Sequence, residues 1–349
     1  MENRKIKCVV WDLDCTIWDG ILLENNEVQM YEGIVCILEN LDKRGILQSI
    51  SSKNNYNLAM NKLRKFGIDK YFIYPQINWN PKSESIKTIA KHINISLDTI
   101  AFIDDQIFER EEVNFVLPEI LCVDATNINK LLDMPEMNPR FVLKDSRRRR
   151  ELYQRDIERN TMEEKFQGTK EEFLASLNMF FTVSPVEEGD LMRAEELAVR
   201  THQLNATGYT YSYEELYNFS KDDEHDLIIA ELKDKYGSYG KIGLVLIEKN
   251  KDSWTLKLLL MSCRVMSRGV GSVLLNYVLM LAKAAGVKLY AEFLPTDRNR
   301  MMYITYKLLG FKEVSKENNL ITLEHDLKEI PKIPYYIELK EKIQSRQAR

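Results

Sequence analysis

Ile6-Lys7-Cys8-Val9-Val10-Trp11-Asp12-Leu13-Asp14-Cys15-Thr16-Ile17 sets two carboxylates directly behind an apolar run. Ile6 to Trp11 reads as a buried strand of a parallel sheet, since a strand covered on both faces needs no polar alternation. Residues i and i+2 leave a strand on the same side. Asp12 and Asp14 are therefore expected to emerge together at its C-terminal end, the edge where open α/β sheets hold their ligands. Paired carboxylates there suit a hard cation, and one of them can attack phosphorus.

Outward from that stretch, residues 1 to about 126 alternate apolar strands with amphipathic helices. Strands are expected at 46–51, 71–73, 100–103 and 120–123, and helices at 33–44, 57–66, 82–92 and 108–117. Such alternation specifies a doubly wound parallel sheet. From 127 to 170 the chain reads as a charged linker and helix, with Asp145 to Glu164 expected to be a solvated helix carrying Arg147 to Arg150. A second, α+β domain is expected over 171–335. It has a helix at 191–200, an antiparallel pair at 226–233 and 241–248 turning around Gly237 and Gly240, and a strand at 254–261. A helix at 270–285, a strand at 287–293 and a helix at 299–309 complete it. Residues 336–349 read as a charged tail.

The totals fit this division. At 349 residues, 44% apolar and 29% charged, the chain suits two soluble domains of ordinary size. A net charge of -4 and a pI near 5.8 argue against a nucleic-acid partner. No apolar stretch approaches the roughly 18 residues of a membrane span, and Met1 to Lys5 lead straight into the first strand rather than forming a secretory leader. The cysteines at 8, 15, 36, 122 and 263 are scattered without metal-ligand spacing. Reduced thiols and a cytoplasmic location are the matching expectation.

Further groups stand at the ends of the later strands. Ser51-Ser52-Lys53-Asn54 supplies a small hydroxyl, with Ser51 and Ser52 both open to the role. Lys82 opens a helix, where the ammonium and the helix N-terminus both favour an anion. Asp104-Asp105 closes the strand before it. Together with Asp12 and Asp14, these are the ordered parts of a phosphoryl-transfer site. Asp12 would be the nucleophile and Asp14 the acid and base. Mg²⁺ would lie among Asp12, Asp14 through a nearby backbone carbonyl, Asp104 and Asp105, with Asp105 preferred as the direct ligand. Ser52, Lys53, Asn54 and Lys82 would hold the phosphoryl group.

The set resembles the haloacid dehalogenase (HAD) phosphotransferases. Asp12-x-Asp14-x-Thr16-x-Trp18-x-Gly20, Ser52-Lys53-Asn54, Trp79-x-Pro81-Lys82-Ser83 and Asp104-Asp105-x-x-x-Glu109-Arg110-Glu111 are similar to the HAD IIIC, or FkbH-like, branch. Cys15 stands where that branch often has Asn. The resemblance implies a Rossmann-like domain and a glyceryl transferase/phosphatase of polyketide-type pathways. Such an enzyme dephosphorylates 1,3-bisphosphoglycerate, or a similar three-carbon acyl phosphate, and loads the glyceryl unit onto an acyl carrier protein through its phosphopantetheine arm. Arg200-Thr201-His202-Gln203-Leu204-Asn205-Ala206-Thr207 and Ser262-Cys263-Arg264-Val265-x-x-Arg268-Gly269-Val270 are recurrent strings of that branch.

Strand, Gly269-x-Gly271 and helix further resemble the pyrophosphate loop of GNAT acyltransferases, though Met266 replaces the usual Gln or Arg before the first glycine. Arg264, Arg268, Gly269 and Gly271 would then grip a pantetheine or coenzyme A phosphate. Cys263 is expected either to pack or to carry the acyl group as a thiolate, and Cys15 is the lesser candidate. His202 would serve as its base or as a hydrogen-bonding residue, and Asn205 would orient it or bind glycerate hydroxyls. Two other functions fit the same residues. One is a HAD phosphatase fused to an N-acyltransferase for a nucleotide sugar or amine; the other is a carrier-binding protein without acyl transfer.

Overall fold

The computed structural model describes residues 5–25, 27–201 and 204–342, the side chains of Lys144, Cys263 and Ser267 excepted. The chain divides into two compact units, 1–157 and 158–349.

In the first unit, β1 (Cys8–Trp11) is followed by a small hairpin, β2 (Trp18–Asp19) and β3 (Gln29–Met30). Then come α1 (Ile34–Lys43), β4 (Leu47–Ser52), α2 (Tyr56–Phe66), β5 (Gln76–Ile77), α3 (Lys82–Ile93), β6 (Ile100–Asp104), α4 (Ile107–Val116) and β7 (Leu121–Asp124). α5 (Lys144–Arg147) and the start of α6 (Arg149–Lys165) close the unit. The sheet runs β5-β4-β1-β6-β7 with every pairing parallel. Strand order therefore reverses at β1, which makes its C-terminal end the switch point. Alternation along β1 splits the core: Val9 and Trp11 pack with α1 and α2, and Cys8 and Val10 with α3 and α4.

Three expectations change here. The strand expected at 71–73 forms a single bridge at Phe72, because residues 69–71 make a 3₁₀ turn and Tyr74 adopts φ 49°. Pairing with β4 resumes only at Gln76. The linker expected over 127–170 is not one: the unit boundary falls inside α6, after a break at Arg148 that separates it from α5. Nor is the arginine run merely solvated. Arg149 is 8% exposed and donates to Gly45 O at 2.6 Å, while Arg150 pairs with Asp42.

The second unit holds the end of α6, α7 (Lys170–Ser176), β8 (Met179–Pro185), α8 (Glu188–Arg200), α9 (Tyr213–Lys221), β9 (His225–Asp234), β10 (Gly237–Lys249) and β11 (Ser253–Met261). α10 (Gly271–Ala285), β12 (Lys288–Phe293), α11 (Arg300–Leu308), β13 (Lys312–Glu317), β14 (Leu320–His325) and β15 (Ile337–Glu341) follow. The sheet order is β13-β14-β12-β11-β10-β9-β8-β15, antiparallel except for β11/β12 and β8/β15. α7, α10 and α11 cover one face, and α8 and α9 the other. The expected charged tail contributes an edge strand instead: Ile337 is buried, and the strand pairs with β8 from Met179 to Val183. Gly237 and Gly240 lie within β10, at and beside its register shifts, so the turn precedes them.

Arg159 and Asp234 make a fully buried bidentate ion pair in this unit, at 2.7 and 2.8 Å, with the guanidinium 3.8 Å from the Tyr239 ring centroid. None of the helices in the described residues is long and apolar enough to cross a membrane.

Candidate active site

Asp12 is the first residue beyond β1 and is 6% exposed. Its amide donates to Ile103 O at 2.9 Å, which moors the loop to β6. Lys82, at the first position of α3 and 3% exposed, is ion-paired to Asp12 Oδ1. Its ammonium also lies 2.8 Å from Ser51 O and 3.0 Å from Asp104 Oδ2. Asp104 ends β6 and Asp105 follows it. Of the two serines it is Ser52, the last residue of β4, whose hydroxyl bonds to Asp12. Strands β1, β4 and β6 thus deliver one group each to the same edge, and the first residue of α3 adds the lysine.

Burial decides the electrostatics. It pushes the Asp12 carboxyl up from its ordinary range, against the opposing pull of Lys82 and Ser52. Asp104 is pushed up to about 6, first by burial and then by the charge of Asp12. Burial and Asp104 raise Asp105 as well. For Lys82 burial alone would lower the pKa, but the Asp12 and Asp104 carboxylates more than offset it and hold the ammonium charged.

One ammonium thus faces three carboxylates, whose nearest oxygens all lie within 4.8 Å of one another. Asp105 Oδ1 is buried with no hydrogen-bond donor. An orphaned carboxylate oxygen in an anionic cluster fits a hard divalent cation with oxygen ligands.

Asp14 does not join that cluster. β1 ends at Trp11, so the i, i+2 rule of an extended strand no longer applies, and Cys15 turns the chain at φ 53°. The Asp14 Oδ1 atom accepts from Trp18 Nε1 at 2.7 Å and from Leu22 N at 3.1 Å. Oδ2 accepts from Asn54 Nδ2 at 2.9 Å. Asn54 therefore holds Asp14 through one of its amide hydrogens. Lys53, at the rim, is tied to Glu109 at 2.6 Å.

The N-terminus of α3 already has its anion. Glu112 accepts from Ser83 N at 3.1 Å and from Ser83 Oγ at 2.5 Å, so only the Lys82 ammonium is turned toward the cluster. Trp18, Glu109 and Glu112 were given no role from sequence. Trp18 follows Asp14 by a fixed interval inside the opening motif, the one available signal for it.

In the second unit β11 and β12 pair only from Ser253 to Leu256. Beyond that the strands part, and the chain's own 204–206 segment fills the gap. Ala206 N donates to Leu259 O at 3.0 Å, Met261 N to Leu204 O at 2.9 Å, and Leu294 N to Ala206 O at 3.1 Å. Asn299, fully buried, fastens the segment through its donation to Asn205 O at 3.1 Å.

Asn205 is spent on this turn, its side chain binding Tyr209 O, Thr207 N and Gly208 N, so it does not bind a substrate hydroxyl. Arg268 is 2% exposed and held by Glu163 and Asn160 at 2.8 Å each, and Arg264 donates to Tyr239 O at 2.9 Å. Neither arginine is presented to a pantetheine phosphate.

Gly269 sits at φ 71°, where a Cβ would approach Tyr336 Oη to 2.9 Å; its need is conformational. Gly271 opens α10 with free space around it. Cys263 begins a 3₁₀ turn, and its thiol lies outside the described atoms. His202 lies outside the described residues. Burial and the carboxylates of Asp105, Asp14 and Asp19 push the Cys15 thiol up, away from thiolate.

A family model described as haloacid dehalogenase-like hydrolase matches residues 16–112. The first unit carries a haloacid dehalogenase-like hydrolase domain. The match begins at Thr16, just after the aspartate pair of this hydrolase domain. Among solved structures, the chain is similar to the N-terminal part of BF1531 from Bacteroides fragilis, which contains a phosphatase domain complexed with Mg. Identity there is 25%, with 39% of this chain and 41% of that chain covered and a TM-score of 0.34.

Several other matches carry acetyltransferase names. Aminoglycoside 6'-acetyltransferase type Ii is 19% identical over 43% of this chain and 99% of its own, at a TM-score of 0.33. Ard1 from Thermoplasma volcanium is 15% identical over 42% of this chain and 96% of its own, also at 0.33. No curated protein matches the chain.

Proposed function

We propose that the hydrolase domain is a Mg²⁺-dependent phosphatase working through an aspartyl-phosphate on Asp12. The observation that carries this is the convergence of Asp12, Asp104 and Asp105 around the Lys82 ammonium at the switch point of the sheet.

An Asp12 oxygen attacks the substrate phosphorus, the bond from phosphorus to the leaving oxygen breaks, and Asp14 gives that oxygen a proton. Asp14 then takes a proton from water as the water attacks the same phosphorus. The bond to Asp12 breaks, inorganic phosphate departs and Asp12 returns as carboxylate. Lys82 and Ser52 hold the phosphoryl oxygens, where charge neutralisation supplies most of the acceleration. Asp12, Asp105 and a backbone carbonyl near Asp14 would hold the Mg²⁺, which neutralises the phosphoryl dianion.

On the motif resemblance, the substrate is 1,3-bisphosphoglycerate or a similar three-carbon acyl phosphate. The second unit receives the glyceryl group for an acyl carrier protein. Exposed apolar side chains at the edge of the hydrolase sheet support a macromolecular partner: Trp79, Ile107 and Phe108 are 66%, 65% and 70% exposed on the segments after β5 and β6. Arg264 donates to Tyr239 O and Arg268 is neutralised by Glu163, so neither charge is directed at holding Cys263 as thiolate. Direct attack by the phosphopantetheine thiol of the carrier on the acyl carbon is therefore the favoured transfer: the thioester C–S bond forms, the C–O bond to the acyl phosphate breaks, and inorganic phosphate leaves.

Intact mass of the protein and of carrier proteins, after incubation with 1,3-bisphosphoglycerate and Mg²⁺, tests the reading. A glyceryl adduct on a carrier is expected, and Cys263→Ala is expected to load it unchanged. An adduct found on the protein and abolished by that substitution would return the step to Cys263. Asp12→Asn should remain folded and, without carrier, release no phosphate from a phosphate monoester; release at the wild-type rate would remove Asp12 as nucleophile.

A further inference from the structure

Asp14 has an unusual set of partners for a group that must carry and surrender a proton. A carboxylate oxygen offers about two lone-pair directions. Oδ1 has both filled, by the Trp18 indole N–H at 2.7 Å and the Leu22 amide at 3.1 Å. Oδ2 has one filled, by the Asn54 amide at 2.9 Å, which leaves one direction open. Neither an indole nor an amide N–H can accept a hydrogen bond at those positions, so a proton on Oδ1 would face donors alone.

The donors are themselves fixed. Trp18 is fully buried, lies in the β2/β3 hairpin and packs on Phe66 with ring centroids 6.2 Å apart. Asn54 is 1% exposed, and its own oxygen is held by Asn55 N at 2.8 Å.

We infer that Trp18 and Asn54 are positioning residues for the transferable proton of Asp14: Trp18 keeps it off Oδ1, and Asn54, by filling one direction on Oδ2, leaves it the single direction that remains there. This rests on the reading of Asp14 as general acid. The hairpin then acts as a clamp behind the acid rather than as a lid over the substrate. Removing the indole N–H frees a direction on Oδ1, and the proton is then no longer held to Oδ2, the oxygen with the open direction in the intact site.

Leaving-group dependence separates this from a merely structural effect. The kcat/KM of a phosphate monoester covers only steps through aspartyl-phosphate formation. Its need for a general acid is large for an alkoxide leaving group and small for p-nitrophenolate, which departs without a proton. Trp18→Phe, Asn54→Ala and Asp14→Asn are compared with wild type on glycerol 3-phosphate and on p-nitrophenyl phosphate. General acid catalysis contributes roughly 10²–10⁴-fold, and Asp14→Asn should lose that on the alkyl ester and little on the aryl ester. Trp18→Phe and Asn54→Ala should lose about 10–100-fold on the alkyl ester, part of the same contribution, and under about threefold on the aryl ester.

The two donors come from different elements, so a folding defect in the hairpin cannot account for a shared pattern. Equal losses on both esters in the positioning variants, with Asp14→Asn still selective, overturn the inference and leave the acid in place. Equal losses in Asp14→Asn overturn the reading of Asp14 itself.

Discussion

Lys82 shows how much one side chain can be asked to do. Three carboxylates surround one buried ammonium, and two of them touch it. Removing a buried ionic partner costs about 3–5 kcal/mol, because the charge left behind has neither solvent nor counterion. Lys82→Met is therefore expected to lower the stability of the metal-free hydrolase domain by that order. Mg²⁺ should restore part of the loss, since a divalent cation replaces the missing positive charge. Urea unfolding with and without Mg²⁺ reads both effects, and an unchanged midpoint in metal-free protein would show that the cluster is already protonated. Phosphate release should be lost in either case, because the phosphoryl oxygens lose their ammonium.

Among the elements, β14 ends in a histidine whose tautomer the fold selects. His325 is 4% exposed, its Nδ1 accepts from Leu327 N at 2.9 Å, and its Nε2 lies 2.9 Å from Leu309 O. The ring is thus neutral with the proton on Nε2, and a second proton on Nδ1 would meet an N–H donor. Burial lowers its pKa below the ordinary 6.5. The unfolded chain consequently binds a proton more readily than the folded one. Stability is full above pH 6.5 and falls as the pH drops through the depressed folded value. Thermal unfolding of the second unit at successive pH values should show this decline, and His325→Gln, which keeps a donor for Leu309 O, should flatten it. A midpoint that rises on acidification would contradict the assigned tautomer.

For the whole molecule, the two units respond to different variables. The carboxylate cluster belongs to the first unit alone. A ligand bound only by the folded form stabilises it by about 2.7 kcal/mol at a hundredfold excess over its dissociation constant. Calorimetry is expected to show the unfolding of the hydrolase domain rising with Mg²⁺ while that of the second unit stays in place. Chelation should reverse the shift and stop phosphate release together. Activity that persists after thorough chelation would remove the metal from the reading.

What the chain by itself determined is the order of the hydrolase strands and the edge at which chemistry is placed. The aspartate pairs and the serines stand at the ends of apolar runs and Lys82 opens a helix, and a parallel sheet with a switch point must bring such ends together. The positions of Asp12, Ser52, Lys82, Asp104 and Asp105 were therefore legible before any contact was known. Only the tertiary structure decided which atoms meet. Asp14 leaves its partner aspartate because the strand stops one residue early, and it takes its donors from Trp18, Leu22 and, 40 residues on, Asn54. Arg159 read as solvated charge, and Arg268 as a phosphate-gripping group, until the fold placed Asp234 and Glu163 beside them. The 204–206 segment gave no sign of strand pairing, because its partners Leu259 and Met261 lie more than fifty residues away and the gap it fills exists only once β11 and β12 have parted. Local pattern encodes where a chain turns and which face it buries; hydrogen-bond partners across such separations depend on the register of strands that sequence spacing does not carry.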